Sequence, residues 1–157
     1  MEGTRATFNG SGKHYFQITS KYPLPHSTTR YRVRVSYQKD WMIRVGLITQ
    51  ARKEENISGW QDHPNSVSYG SGLSNRAGEI FVEGAQLQVP QEEDLFIENG
   101  GTIELEAKLT PLDPCLTFVN VSNSKSWTVP LPGQYLTEAV YLFAQMSEKG
   151  DSVEVLA

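Results

Sequence analysis

Strict alternation of apolar and charged residues is the feature that most constrains this chain. Ile103-Glu104-Leu105-Glu106-Ala107-Lys108-Leu109 places every second side chain in one chemical class. Tyr31-Arg32-Val33-Arg34-Val35 does the same, with Arg30, Arg32 and Arg34 opposed to Tyr31, Val33 and Val35. A strand turns successive side chains to opposite faces, whereas a helix would scatter these apolar positions around its circumference. Leu116 with Phe118, and Val153 with Val155, continue the pattern. Met42-Ile43-Arg44-Val45-Gly46-Leu47-Ile48 is nearly continuous apolar sequence and reads as a central strand covered on both faces. The predicted core takes Tyr31, Val33, Val35, Ile43, Val45, Leu47, Ile103, Leu105, Leu116, Phe118, Leu142 and Val153.

Turn signals separate these runs. Gln38-Lys39-Asp40 lies between two predicted strands at hairpin-loop length. Asn99-Gly100-Gly101 is a strong turn before Ile103. Pro111 to Pro114, and Pro130-Leu131-Pro132-Gly133, break the chain again. No segment reads as a helix of about twelve residues, the length at which periodicity becomes decisive. Thr137 to Met146 has some helical propensity, and its aromatic and branched residues fit a strand equally well. Short strands at regular spacing with Gly and Pro turns predict an all-β sandwich or barrel. At 157 residues the chain suits one domain. Residues 1–12, polar and glycine-containing, read as a loose arm, leaving 13–157 as a single β-sandwich domain.

Composition excludes several classes. The net charge of -4 argues against a phosphate-driven nucleic-acid binder, so no nucleic-acid partner is expected. No apolar run reaches the roughly 18 residues needed to span a bilayer, so no membrane contact is expected. No apolar leader follows Met1, and Cys115 is the single cysteine. An intracellular, cytoplasmic setting without a disulfide framework is the expectation.

Candidate chemistry is sparse. His14, His26 and His63 have no metal spacing between them, and no HExxH pattern accompanies them, so no metal and no cofactor are expected. Gly70-Ser71-Gly72 lacks the lysine and helix of a phosphate loop. Glu92-Glu93-Asp94 reads as a solvated acidic loop rather than a calcium site. Cys115 reads as a small buried apolar residue. The glycosylation patterns at Asn9, Asn56 and Asn120 read as coincidence without a leader or disulfides. Glu104 and Glu106 share a strand face, as a carboxylate pair of a hydrolase would. Charged residues on the solvent side of an antiparallel strand explain both them and the arginines.

The order of these features resembles the SPRY domain of the PRY–SPRY module, as a divergent member. Tyr31-Arg32-Val33-Arg34-Val35, then Trp41-Met42-Ile43-Arg44-Val45-Gly46-Leu47, is similar to that family's "YWEVEV … W.VGVA" hairpin. Ser66-Val67-Ser68-Tyr69-Gly70 falls at its "SWGY", with valine for tryptophan and serine for glycine. Gly78 to Gly84 is similar to "G.iyhnG". Gly100-Gly101-Thr102-Ile103-Glu104-Leu105 is similar to "GD.IGv.LD", with Gly101 for the aspartate. Leu116-Thr117-Phe118-Val119-Asn120 resembles "LsF..NG" without its final glycine. Leu142-Phe143-Ala144 and Gly150 to Val155 match the closing "lyPav … gdsv.l" without its proline. The resemblance runs from about residue 31 to the C-terminus. It implies a bent, concanavalin-like sandwich of two antiparallel sheets. It also implies a non-catalytic module that recognises a peptide segment or folded partner through loops at one edge, as the recognition or scaffold part of a larger complex.

Three loops are candidates for that contact. Ala51 to Pro64 is long and polar, and its Trp60 lies outside any strand pattern, either presented to a partner or packed back to pin the loop. Ser147-Glu148-Lys149-Gly150 stands where SPRY proteins of the suppressor-of-cytokine-signalling type place a Trp-Gly contact. Asn123 to Gly133 carries Trp127, whose alternating neighbours indicate core packing. The candidate partner-binding residues are Trp60, Gln61, Asp62, His63, Tyr69, Glu148 and Lys149, the partner being another protein or peptide. The alternative is a carbohydrate-binding, lectin-like sandwich, in which Trp60 would stack on a sugar and Asp62, His63 and Asn65 would bond its hydroxyls.

Overall fold

The alternating segments form strands. The computed structural model describes residues 4–7, 16–38, 43–56, 66–71, 78–87, 92–146 and 149–156. In chain order they give β1 (Thr4–Thr7), β2 (Phe16–Thr19), β3 (Thr28–Ser36), β4 (Ile43–Thr49), α1 (Gln50–Asn56), β5 (Val67–Ser71), β6 (Gly78–Val82) and β7 (Ala85–Leu87). A 3-10 turn (Glu92–Leu95) follows, then β8 (Thr102–Lys108), β9 (Cys115–Asn120), β10 (Lys125–Pro130), the one-turn α2 (Gln134–Thr137), β11 (Val140–Met146) and β12 (Ser152–Leu156). The strands make two antiparallel sheets of six, in the orders β1-β12-β3-β8-β9-β10 and β2-β11-β4-β5-β6-β7. Their inner faces enclose one core.

The core follows from the period of two. Val33, Val35, Ile43, Val45, Leu47, Ile103, Leu105, Leu116, Phe118 and Val153 are buried in it. Tyr31 and Leu142, expected there too, are partly buried and pack against its margin, as does Trp127. All seven residues of β4 are buried, as its apolar run predicts. Fully burying a side chain such as Leu47 contributes about 2 kcal/mol, so this strand anchors the second sheet.

Several expectations are corrected. The segment after β3 is no hairpin. β3 pairs with β8 and β12, and β4 pairs with β11 and β5, so β3 and β4 belong to different sheets; Lys39 and Asp40 lie outside the described residues. The reason is chemical. The basic face of β3 needs acidic neighbours, and it finds Glu106, Glu104 and Glu154 directly opposite Arg30, Arg32 and Arg34. β4, buried on both faces, takes an interior position instead. Thr4–Thr7, within the expected arm, is β1, held to β12 by backbone pairing and by Arg5, which donates to Ser152 Oγ at 3.2 Å. The expected loop Ala51 to Pro64 begins as α1, because Gln50 to Glu54 are good helix formers. Cys115 is half-buried on the outer face rather than in the core.

Turns behave as their residues require. Gly100 adopts φ +83° in the turn before β8. Glu83 and Gly84 form the two-residue β6–β7 turn with φ of 49° and 85°, the left-handed pair of a type I′ hairpin. Asn120 is 3% exposed, and its side-chain amide donates to the carbonyls of Asp94 and Phe96, so the glycosylation pattern there has no accessible nitrogen.

Candidate functional site

Helix α1 has seven residues, too short to persist alone, so its docking decides its position. Four contacts supply that docking at one end of the second sheet. Ala51 N–H donates to Glu138 Oε1 at 3.0 Å, and Gln50 N–H to the Ala139 carbonyl at 2.9 Å. Lys53 Nζ lies 4.2 Å above the centre of the Tyr141 ring. Arg52 Nε donates to Glu83 Oε2 at 3.0 Å.

Glu83 sits at the centre of this end. Its second oxygen, Oε1, accepts from the Tyr135 hydroxyl at 2.8 Å. Tyr135, a residue of α2, is fully buried. Burial, and then the neighbouring Glu83 carboxylate, push the phenol well above its ordinary range, so it is a fixed hydrogen-bond donor.

The outer face of the second sheet carries a further polar group. The registers place Gln17, Gln145, Arg44, Gly70 and Glu79 in one row across five strands. Arg44 is 4% exposed, donates through Nη1 to Gln145 Oε1, and lies 4.7 Å over the Phe81 ring. Ile48, Phe81 and Phe143, which share this face, are buried as well.

The residues singled out by sequence are distributed differently from one another. Trp60, Gln61, Asp62, His63 and Glu148 lie outside the described residues, as do Asn65 and His14 among the other candidates. Tyr69 is 1% exposed; its ring packs at 6.0 Å from Phe118 and its hydroxyl donates to the Leu95 carbonyl, so it supports the core. Lys149 is exposed. The anchors of the two candidate loops are not adjacent. Residue 56 leaves the end of β4 that faces Val140, whereas residue 149 follows Met146 at the opposite end of β11. Seven strand residues separate these ends by roughly 20 Å.

That opposite end holds a cavity of about 460 Å³, lined among others by Ile97, Asn99, Gly101, Thr102, Asn120 and Asn123. Its amides are engaged within the protein: Asn99 spans both backbone groups of Tyr37, and Asn123 bonds the Asp94 carbonyl and Lys125 N–H. Glu104 and Glu106, considered as a hydrolase pair, are held by Arg32 and Arg30. Among the described residues no group of three potential ligands could hold a metal, and no helix is long and apolar enough to cross a membrane.

Arg44, Gln145, Glu83 and Tyr135 escaped the sequence reading. One signal pointed to Arg44: a charge inside a strand expected to be covered on both faces must find buried partners. Nothing local marks Glu83 and Tyr135, which lie 52 positions apart.

No family model matches the chain, and no curated protein matches it. Among solved structures, it is similar to a human SPRY domain at TM-score 0.66 and 16% identity, over 97% of this chain and 90% of that one. The chain has the SPRY fold. The TRIM65 PSpry domain matches this SPRY-fold chain at TM-score 0.60 and 14% identity, over 90% and 70% of the two chains. A legume lectin-like domain from Entamoeba histolytica matches it at TM-score 0.55 and 12% identity, over 98% and 86%. The motif order read from the sequence and the SPRY fold therefore agree.

Proposed function

We propose that this chain is a non-catalytic protein-interaction module that takes a peptide segment or folded partner on loops at one end of the sandwich. It would act inside the cell as the recognition or scaffold part of a larger complex. The observation that carries this reading is the fastening of α1. A short helix held by Glu83, Glu138, Ala139 and Tyr141 gives residues 57–65 a rigid base, and binding residues work best on loops held by such a base. Trp60 is the proposed anchor, with Gln61, Asp62 and His63 orienting the partner segment. Glu148 and Lys149, at the opposite end of β11, are the alternative contact, and Tyr69 supports the scaffold from within the core.

The test uses the intact protein and its Trp60→Ala variant in affinity purification from the native cell, followed by titration of the recovered partner. Binding should weaken by about 2 kcal/mol, or some thirtyfold, with the melting temperature nearly unchanged. Early unfolding with unchanged affinity would move the binding face to Glu148 and Lys149. The likeness to a lectin-like domain carries a second reading, a carbohydrate ligand stacked on Trp60. Selective binding on a glycan array, lost in Trp60→Ala, would favour it.

A further inference from the structure

Among the described residues, three non-glycines adopt a left-handed backbone: Glu83, Asp113 and Ser124. Asp113 and Ser124 have short side chains. Glu83 has a long one, and it occupies the first position of a type I′ turn, where glycine carries no steric cost and asparagine a reduced one. The backbone therefore gives no reason for a glutamate here. The side chain does. Its two oxygens reach in different directions, Oε2 to Arg52 on α1 and Oε1 to Tyr135 on α2, at 3.0 and 2.8 Å. Its own N–H donates to the Ser66 carbonyl at 2.9 Å, at the far end of the segment that starts after α1. Residues on both sides of 57–65 are thus tied to one carboxylate-bearing residue.

We infer that Glu83 is a positioning residue for the α1 end of the sandwich: its carboxylate couples α1, α2 and the β6–β7 turn, and so fixes α1 relative to Ser66 and the start of β5. An ionised acceptor suits the task, because bonds to it are shorter and stronger than neutral ones. Tyr135, with its phenol held protonated, always supplies a donor. Arg52 supplies the charge. The coupling stands on described geometry; only its consequence for partner binding rests on the interaction reading above.

Residue-resolved hydrogen exchange on the full chain tests it. Glu83→Asn keeps a residue suited to the left-handed turn but shortens the arm beyond the reach of either partner. Glu83→Gln keeps the reach and loses the charge. Tyr135→Phe removes the hydroxyl that donates to Glu83 Oε1 at 2.8 Å and lies 3.4 Å from the Leu47 carbonyl oxygen. Exchange at Arg52 to Asn56 should quicken about tenfold in Glu83→Asn and in Tyr135→Phe, relative to exchange at Ile103 to Ala107 in the other sheet, with Glu83→Gln between them and the wild type. Equal acceleration throughout the chain would show a merely structural role and overturn the inference, as would unchanged rates at α1. If α1 loosens and affinity for the recovered partner holds, the positioning role stands and residues 57–65 are not the contact.

Discussion

The two sheets turn opposite kinds of surface away from the core. On the first, Arg30, Arg32 and Arg34 are exposed, and each meets the carboxylate directly across from it, on Glu106, Glu104 and Glu154. On the second, Arg44 is buried, bonded to Gln145 and stacked on Phe81, with apolar neighbours that are buried too. The same residue type thus serves two ends. Exposed cross-strand pairs mainly select register, since a slip by one residue would turn every arginine inward. A buried guanidinium has lost its water and depends on the groups packed around it. The second sheet's outer face accordingly behaves as interior, and it is the sheet to which α1 is fastened.

Changes on that face should therefore cost most. Phe81→Ala removes a ring that is 1% exposed and on which Arg44 rests; we expect a loss of about 4 kcal/mol in chemical denaturation. Arg44→Ala should cost about 3 kcal/mol, because the Gln145 carbonyl loses its donor inside the protein. If either change costs under about 1 kcal/mol, this face is solvated and the contrast between the sheets fails.

How much of this contrast was legible depends on range. The first sheet's outer face can be read from two local patterns, since alternation alone sends Arg32 and Glu104 to solvent. Their pairing cannot, because the partners lie 72 residues apart. The change of sheet between β3 and β4 was hidden for the same reason: the short gap fits a hairpin, and only the distant acidic strands decide otherwise. Helix α1 was missed because seven residues hold too few turns for a period to appear. Lys149 could be named by resemblance, but the distance between its loop and α1 follows from the β4–β11 register, which no local pattern encodes.

The α1 end offers a test by pH. An unfolded tyrosine ionises near pH 10.0, whereas buried Tyr135 beside Glu83 keeps its proton well above that. Above pH 10.0 the unfolded state therefore binds fewer protons than the folded state, and stability falls as pH rises. This one group should lower stability by about 1.4 kcal/mol per pH unit once the unfolded tyrosine is fully ionised. Tyr135→Phe should show a shallower decline over the same range. Parallel curves for the two proteins would mean that Tyr135 is reached by solvent and that the Glu83 contact is weak.

The smallest effect belongs to the exposed ladder, and it sharpens the comparison because the residue type is held constant. Arg32 keeps 59% of its side-chain surface exposed and bonds Glu104 at 3.0 Å. Such a pair gains little Coulomb energy in water and loses side-chain entropy, so its coupling should be about 0.5 kcal/mol in a double-mutant cycle with Arg32→Ala and Glu104→Ala. Raising the salt to about 1 M should shrink it further, since screening then acts within about 3 Å. Arg44→Ala should lose nearly the same stability at both ionic strengths, because Arg44 is buried against Gln145 and Phe81, where salt screens little. A ladder coupling above about 2 kcal/mol, or an Arg44 effect that salt removes, would reverse the assignment of the two faces. In that event the first sheet would be the one whose charges hold the fold, and the second would be open to an anionic partner.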